Sequence, residues 1–242
     1  MSEGVGMDQQ KVRERFASLS TAHLADACIR AGVAVRCAPA GVQARVGAVK
    51  VAGRVAPARH VGSVDLFLEV LERHAGPGDV LVVDNGGRLD EACVGDLVAL
   101  EVAAAGLAGV VIWGLHRDTA DLRAIGLPVF SLGSLPTGPQ RLDPRPAEAP
   151  ASARFGEWLV GPDDLVFGDE DGVLFLPADR VEELLALAES IRDTERRQAE
   201  RIRTGTSLRA QLAFADYLAR RDEDPELTFR DHLRGIGGAI EE

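Results

Sequence analysis

The sequence has few cysteines, few lysines and a single tyrosine. Its three cysteines, Cys28, Cys37 and Cys93, form no CxxC pair and leave an odd number. Such a set indicates buried free thiols in a reducing compartment rather than disulfides or a zinc site. The longest apolar stretch, residues 98–113, is interrupted by Glu101 and by glycines, so it is too short for a membrane span. The first residues also lack the basic and apolar regions of a signal peptide, and we expect a cytoplasmic protein.

Basic residues are scarce relative to acidic ones. The 242 residues include 38 acids and 27 bases, a formal net charge of −11. This balance argues against nucleic acid and against anionic membrane surfaces as partners, because both bind basic faces. The bases are nearly all arginine, since only Lys11 and Lys50 are lysine. Arginine favours planar, two-point contacts with carboxylates and phosphates.

Apolar runs and helical patterns alternate through the middle of the chain. The runs 80–83, 110–112 and 128–132 are typical of strands, and helices are predicted over 95–105 and 119–125. This order predicts a parallel or mixed sheet with helices on its faces. Helical spacing over 10–32, with Ser20-Thr21 able to cap a second segment, and over 65–74 precedes the runs. Strands are predicted over 41–57 and in three short segments between 158 and 177.

The composition changes after Pro177. Residues 179–242 contain 26 charged side chains, and helical faces begin near Val181, Thr206 and Asp224. We therefore expect an α/β domain over 1–178 and a charged helical C-terminal arm over 179–242. A solvated arm is favoured over a dedicated partner site.

Two groups of residues follow predicted strands where ligands of open α/β sheets bind. Gly95-Asp96-Leu97-Val98 begins a helix, whose free amides suit a carboxylate or phosphate. Arg117-Asp118 follows the second strand, where the arginine can grip a carboxylate and the aspartate can hold a divalent cation. Local patterns leave other interpretations open: Asp118 as a helix cap, Arg117 in a structural ion pair, and Gly-Asp as an ordinary helix start.

Other catalytic motifs are missing. The five histidines show no HxH or HExxH spacing, so a zinc site is not expected. The chain also lacks a GxSxG elbow, a P-loop and a GxGxxG loop. A single carboxylate is still sufficient for Mg²⁺, which keeps most of its waters.

Taken together, the motifs over about residues 18–177 resemble one family. They are Ser20-Thr21-Ala22, Asp26-Ala27, Gly78 to Asp84, Gly95, Ala108 to Gly114, Arg117-Asp118, Gly126 to Phe130 and Gly168 to Val173. This set is similar to the 4-hydroxy-4-methyl-2-oxoglutarate aldolase family, which includes the ribonuclease-activity regulator A (RraA) proteins. The most specific part is residues 95–130.

The resemblance implies an α/β/α sandwich of the swivelling, phosphohistidine-like kind and a class II pyruvate aldolase that uses Mg²⁺ or Mn²⁺. It makes Asp118 the metal ligand and Arg117 the contact to the keto-acid end of a small anionic 2-oxo acid. The amides of Gly95 to Val98 would bind the pyruvyl carboxylate, and Asp96 would orient a metal-bound water for proton transfer. Oxaloacetate decarboxylation is an expected side activity, since it forms the same enolate.

The resemblance also implies homotrimers or homohexamers with the active site between subunits. An acid from a neighbouring subunit would complete the metal's water shell, and the candidates are Asp169, Glu170 and Asp171. Trp113 and His116 depart from the family pattern, which suggests a bulkier acceptor pocket and a different substrate. A non-catalytic regulator that binds a ribonuclease or another enzyme is the alternative function.

Overall fold

A curled, mixed sheet lies at the centre of the part of the chain that the computed structural model describes, residues 8–48 and 50–236. The strands are β1 (Arg36–Cys37), β2 (Gln43–Val46), β3 (Val51–Arg59), β4 (Val80–Asp84), β5 (Ala92–Val94), β6 (Gly109–Trp113), β7 (Leu115–His116), β8 (Val129–Ser131), β9 (Gly133–Ser134), β10 (Ala153–Phe155), β11 (Trp158–Val160), β12 (Asp164–Asp169) and β13 (Gly172–Pro177). The main sheet has the order β1-β13-β12-β3-β4-β6-β8-β2. A small sheet β5-β7-β9 and a hairpin β10-β11 accompany it.

The four strands β3, β4, β6 and β8 are parallel. Asp84 at the end of β4 pairs with Arg59 of β3 and with Trp113 of β6. The carboxyl ends of these strands therefore meet at one edge, as the alternation of strands and helices predicts.

Two groups of three helices, drawn from the first six in chain order, pack on the outer face of the sheet. The helices are α1 (Gln9–Phe16), α2 (Thr21–Arg30), α3 (Asp65–Arg73), α4 (Asp96–Ala104), α5 (Thr119–Ile125), α6 (Val181–Arg203), α7 (Leu208–Gln211), α8 (Phe214–Glu223) and α9 (Phe229–Ile236). Buried side chains of α3, α4 and α5 form one core with β3, β4, β6 and β8. Those of α1, α2 and α6 form a second core against β12 and β13.

Alternation along β3 shows how the sheet divides these cores. Ala52 and Ala56 point outward to the helices, whereas Val51 and Val55 point inward to a third core. That inner core also contains Phe130 from β8, so the sheet curls until strands from opposite ends share one interior. The expected α/β fold of the swivelling kind, with a C-terminal helical extension, is confirmed.

Most predicted helix limits agree with the structure. Ser20 caps α2: its hydroxyl accepts from the His23 amide at 3.2 Å, and its own amide donates to Nδ1 of the His23 ring at 2.9 Å. The prediction that a helix starts at Asp224 is wrong, because α9 begins at Phe229. Asp224 instead accepts from the Glu226 amide in a turn. The expectation that all cysteines are buried is wrong for Cys37, which is exposed.

The first helix of the C-terminal segment, α6, is part of the hydrophobic core. The apolar face of α6, from Val181 to Ile191, packs with α1 and α2 against the sheet. The division at residue 178 stays a prediction. Within residues 8–48 and 50–236, we find no helix whose length and hydrophobicity would let it span a bilayer.

Candidate functional site

The small sheet brings the two predicted site segments together. Val94 at the end of β5 pairs with His116 of β7 in parallel, and the Arg117 amide donates to the Val94 carbonyl at 2.9 Å. Gly95 and Arg117, the next residues, therefore lie side by side. Strands of two and three residues are too short to show a periodic pattern. The sequence therefore predicted that Gly95 and Arg117 lie close together only from the strand-end rule, which places ligand sites of open α/β sheets at the carboxyl ends of the strands.

The Asp118 side chain does not cap the helix that it precedes. Its backbone is left-handed, with φ 57° and ψ 40°, and its carboxylate accepts no hydrogen bond from α5. Oδ2 lies 3.2 Å from Nε of Arg117 and 3.4 Å from the Asp96 amide. The Asp118 and Arg117 side chains are 33% and 48% exposed. The pair is thus open to a ligand: Asp118 is the N-cap residue of α5 by position, but its side chain makes no capping hydrogen bond.

Gly95 allows this close approach without displacing either side chain. A Cβ at this position would lie 2.3 Å from Oδ2 of Asp118 and 3.1 Å from Nε of Arg117. The backbone there is extended, with φ −128° and ψ −167°, so a side chain at this position is opposed by the space that Asp118 and Arg117 occupy and not by conformation. The glycine lets the helix start and the Arg-Asp pair share one site.

The start of α4 supplies amide donors. Asp96, Leu97 and Val98 occupy its first turn, where amides have no intrahelical acceptor, and Gly95 offers no side-chain cap. Such an end favours an anion. The α4 cavity, of about 390 Å³, opens here and is lined by His60, Gly62, Ser63, Val64, Leu68, Ala92, Cys93, Gly95, Asp96, Leu97, Val98, Glu101, Arg117 and Pro139.

Arg117 lies between this cavity and a smaller one. The second, of about 220 Å³, is lined by Arg117, Asp118, Thr119, Ser134, Leu135 and Pro136. All predicted site residues, Gly95 to Val98 and Arg117-Asp118, thus gather at one place, with the arginine in contact with both cavities.

The two departures from the family pattern lie outside the α4 cavity. His116 is buried, with Nδ1 2.8 Å from the Ser131 hydroxyl and Nε2 3.1 Å from the Thr119 hydroxyl. It fixes the start of α5 and has a packing role. Trp113 lines a third cavity beside Asp84. Neither residue enlarges or fills the α4 cavity.

The donor set suits a hard divalent cation with few protein ligands. Among the described residues, no group of three or more His, Cys, Asp or Glu side chains could enclose a metal ion. The Asp118 side chain is 33% exposed, so its carboxylate is accessible to an ion. Mg²⁺ commonly binds through one carboxylate, waters and substrate oxygens. Asp118 is therefore the residue that would hold the ion.

The acids of the β12–β13 turn lie at another part of the chain. Asp169 is buried, and its two oxygens accept from the Thr21 amide at 2.7 Å and the Thr21 hydroxyl at 2.6 Å. Both oxygens of that carboxylate hold the start of α2, so Asp169 is not free to bind a water at a neighbouring subunit's metal. Glu170 and Asp171 are exposed and remain the candidates for a contribution to a neighbouring subunit.

Sequence reasoning missed a buried polar cluster beside the α4 cavity. His60, Asn85 and Glu91 are almost fully buried, and Arg141 binds the last two. His60 follows β3 and Asn85 follows β4, so the strand-end rule applied to Arg117 could have found them.

The fold and the site together define a class of mixed α/β proteins. In this class an arginine, a carboxylate and the N-terminus of a helix meet at the carboxyl ends of neighbouring strands. The chain belongs to the RraA-like family (Aldolase/RraA), whose model matches residues 21–175. This confirms the family resemblance of the motifs.

Individual relatives are similar over part of their length. A Shewanella oneidensis protein, provisionally named a 4-hydroxy-4-methyl-2-oxoglutarate aldolase, is 38% identical over 98 residues, 40% of this chain and 58% of that one. Legionella pneumophila DlpA is 30% identical over 152 residues, 62% of this chain and 23% of its own. The chain thus spans less than two thirds of either relative.

A solved structure has the same fold over most of this chain. Streptomyces coelicolor RraAS2, described as an unusual member of the RNase ES inhibitor RraA protein family, superposes with a TM-score of 0.66 and 26% identity. The match covers 79% of this chain and 98% of that one.

Proposed function

We propose that the protein is a divalent-metal-dependent, class II pyruvate aldolase. It cleaves a 4-hydroxy-2-oxo acid to pyruvate and also decarboxylates oxaloacetate. The observation that carries the proposal is the contact of three groups at Gly95: the start of α4, the Arg117 guanidinium and the Asp118 carboxylate. Provisional aldolase names among relatives support it.

Each group has a role in binding a keto acid. The amides of Leu97 and Val98 receive the carboxylate, since the helix start favours negative charge, while the Asp96 amide donates to Asp118. Arg117 donates to the keto-acid oxygen on which enolate charge develops. A donor placed there contributes about 2.7–4 kcal/mol to transition-state stabilisation. Asp96, at the cavity wall, holds the water that exchanges a proton with the enolate carbon.

Asp118 would hold Mg²⁺ or Mn²⁺. A bound cation supplies Lewis-acid polarisation of the keto acid and offsets the charge of the anionic substrate. This matters for a chain of net charge −11, whose overall field repels anions.

A homotrimer or homohexamer with the site between subunits fits the surface around the α4 cavity. Its rim exposes Val64, Leu68 and Leu97, and Leu97 is 72% exposed. Grouped exposed apolar side chains are typical of surfaces that another protein covers. Glu170 or Asp171 of a neighbouring subunit would then complete the metal's water shell.

Pyruvate release from 4-hydroxy-4-methyl-2-oxoglutarate and from oxaloacetate tests the function. We expect turnover with Mg²⁺, loss with EDTA, and loss in Asp118→Ala with Mg²⁺ present. The Gly235→Ala variant, in α9 with open space around its Cβ, serves as the unaffected control. Turnover that survives both EDTA and Asp118→Ala would refute the metal mechanism.

Regulation by protein contact is the second candidate. It is favoured by the similarity to RraAS2, described within a ribonuclease inhibitor family. A stoichiometric protein partner in pull-downs, with no metal-dependent turnover, would establish it instead.

A further inference from the structure

The wall of the α4 cavity carries charges of both signs. Among the described residues that line it, Arg117 is the cation, and the two acids, Asp96 and Glu101, both belong to α4. Arg117 already contacts the Asp118 carboxylate, with 3.2 Å between Nε and Oδ2. The proposed function uses Arg117 and Asp96 and gives Glu101 no role.

The keto-acid end of the substrate determines where the rest of the molecule lies. Its carboxylate is received by the amides of Leu97 and Val98, which line the α4 cavity and not the smaller cavity on the other side of Arg117. The carbon chain therefore continues within the α4 cavity, whose volume of about 390 Å³ leaves room for a substituent at C4.

Glu101 faces the same space as Leu97. The two residues are four positions apart on α4, and side chains with this spacing share one face of a helix, with Cβ atoms about 5–6 Å apart. Helical side chains also lean toward the N-terminus, which brings the Glu101 carboxylate toward the keto-acid end. Glu101 is exposed and makes no hydrogen bond or ion pair with another described side chain. Its negative charge is therefore not offset by a partner.

Apolar side chains form most of the remaining wall. Ala92 and Val98 are buried, Pro139 is half-buried, and Leu68 and Leu97 are exposed. Such a wall favours an alkyl group, because burial removes apolar surface from water. It disfavours a carboxylate, which loses hydration there.

We propose that the substrate is a 4-hydroxy-2-oxo acid with one carboxylate and an uncharged, apolar group at C4, and that Glu101 is a specificity-determining residue that rejects a second carboxylate. This inference rests on the proposed function. Cleavage then yields pyruvate and an apolar aldehyde or ketone. The C3–C4 electron pair passes into the enolate, and the O–H pair of the C4 hydroxyl becomes the C4–O π bond. The hydroxyl proton goes to water, and C3 takes a proton from the water at Asp96.

A matched pair of substrates tests this selection. In 4-hydroxy-4-methyl-2-oxopentanoate a methyl group replaces the second carboxylate of 4-hydroxy-4-methyl-2-oxoglutarate. The two compounds also differ in intrinsic reactivity, so the readout is the change in the ratio of their kcat/KM values when Glu101 is substituted. With Mg²⁺, Glu101→Arg should raise kcat/KM for the dicarboxylate about tenfold and leave that for the monocarboxylate within about threefold, with Glu101→Gln in between.

The substitution suits the fold. Glu101 is exposed in the C-terminal half of α4, where arginine is a good helix former and interacts favourably with the helix dipole. Glu223→Arg makes the same change at an exposed glutamate at the end of α8 and is the matched control. Both variants should keep the wild-type Tm. An equal change of the ratio in Glu223→Arg would show an effect of net charge alone and would overturn the role of Glu101.

A binding measurement separates failure of this inference from failure of the proposed function. 2-Oxoglutarate and 2-oxopentanoate share a carbon skeleton that ends in a carboxylate or in a methyl group, and neither has the C4 hydroxyl that cleavage requires. By calorimetry with Mg²⁺, we expect the wild type to bind 2-oxopentanoate about tenfold more tightly than 2-oxoglutarate and Glu101→Arg to lose or reverse this preference.

The outcomes are distinguishable. If this preference is found but neither hydroxy acid releases pyruvate, the proposed function fails and the selection by Glu101 stands. Pyruvate release together with tighter binding of 2-oxoglutarate, or with a preference that Glu101→Arg leaves unchanged, overturns this inference and not the proposed function. Binding of neither 2-oxo acid contradicts both.

Discussion

Replacement of Gly95 by alanine tests the geometry of the site with a single methyl group. The new Cβ would lie 2.3 Å from Oδ2 of Asp118, whereas real Cβ atoms keep at least 3.0 Å, so the carboxylate must retreat by about 0.7 Å or more. Nε of Arg117, at 3.1 Å, is crowded as well. A misplacement of about 1 Å at reacting groups can cost about 10²-fold in rate, or about 2.7 kcal/mol in the barrier.

The cost to folding should be small. Alanine tolerates the extended backbone at Gly95 and loses less conformational freedom than glycine. We therefore expect Gly95→Ala to lower kcat/KM for pyruvate release about 10²-fold, to need more Mg²⁺ for half-maximal rate, and to keep a wild-type Tm.

Pyruvate formation coupled to NADH oxidation by lactate dehydrogenase measures the rate, and calorimetry measures Tm. Gly235→Ala is the control, because its Cβ meets nothing within 4 Å and the residue lies in a helix. A Gly95→Ala enzyme with full activity would refute the assignment of Asp118 and Arg117 to one site. Activity lost together with Tm would show that the glycine serves folding instead.

Three further predictions concern other side chains. Arg117→Lys should lower kcat/KM about 10²–10³-fold for oxaloacetate with the Tm unchanged, because lysine lacks the planar fork; a rate within threefold of wild type would contradict it. Burial lowers the pKa of His60 and of His116 below 6.5 in the folded protein, so the unfolded chain binds protons first as the pH falls. The stability that these two neutral rings contribute is therefore present above about pH 6.5 and is lost below it. Tm should fall between pH 7.5 and 5, and a constant Tm would contradict this prediction. Iodoacetamide should label one thiol, Cys37, in the native protein and three after denaturation, since the other cysteines are buried; two or more labelled native thiols would be inconsistent with the structure.

The sequence predicted the framework of the site because strand ends and helix starts are local signals. The apolar run before Asp84 and the glycine at 126 are visible in a short window, and so is the Arg117-Asp118 pair after β6. Parallel pairing then places such segments at one edge, which a general rule supplies without coordinates.

What the sequence could not predict depends on contacts between distant residues. The bond from Arg141 to Asn85 in the buried polar cluster spans 56 positions. The hydrogen bond from the Thr21 amide to Asp169 joins residues that are 148 positions apart. His116 was open to a site role until its two hydroxyl partners showed that both nitrogens are satisfied.

The central claim is that Asp118 holds a divalent cation while the start of α4 binds a keto acid. A crystal soaked with pyruvate and Mn²⁺, whose anomalous signal locates the ion, tests it most directly. The account predicts an anomalous peak within coordination distance of the Asp118 carboxylate, and pyruvate with its carboxylate on the amides of Leu97 and Val98. Mn²⁺ bound elsewhere, or pyruvate bound without contact to Arg117 and the helix start, would contradict it.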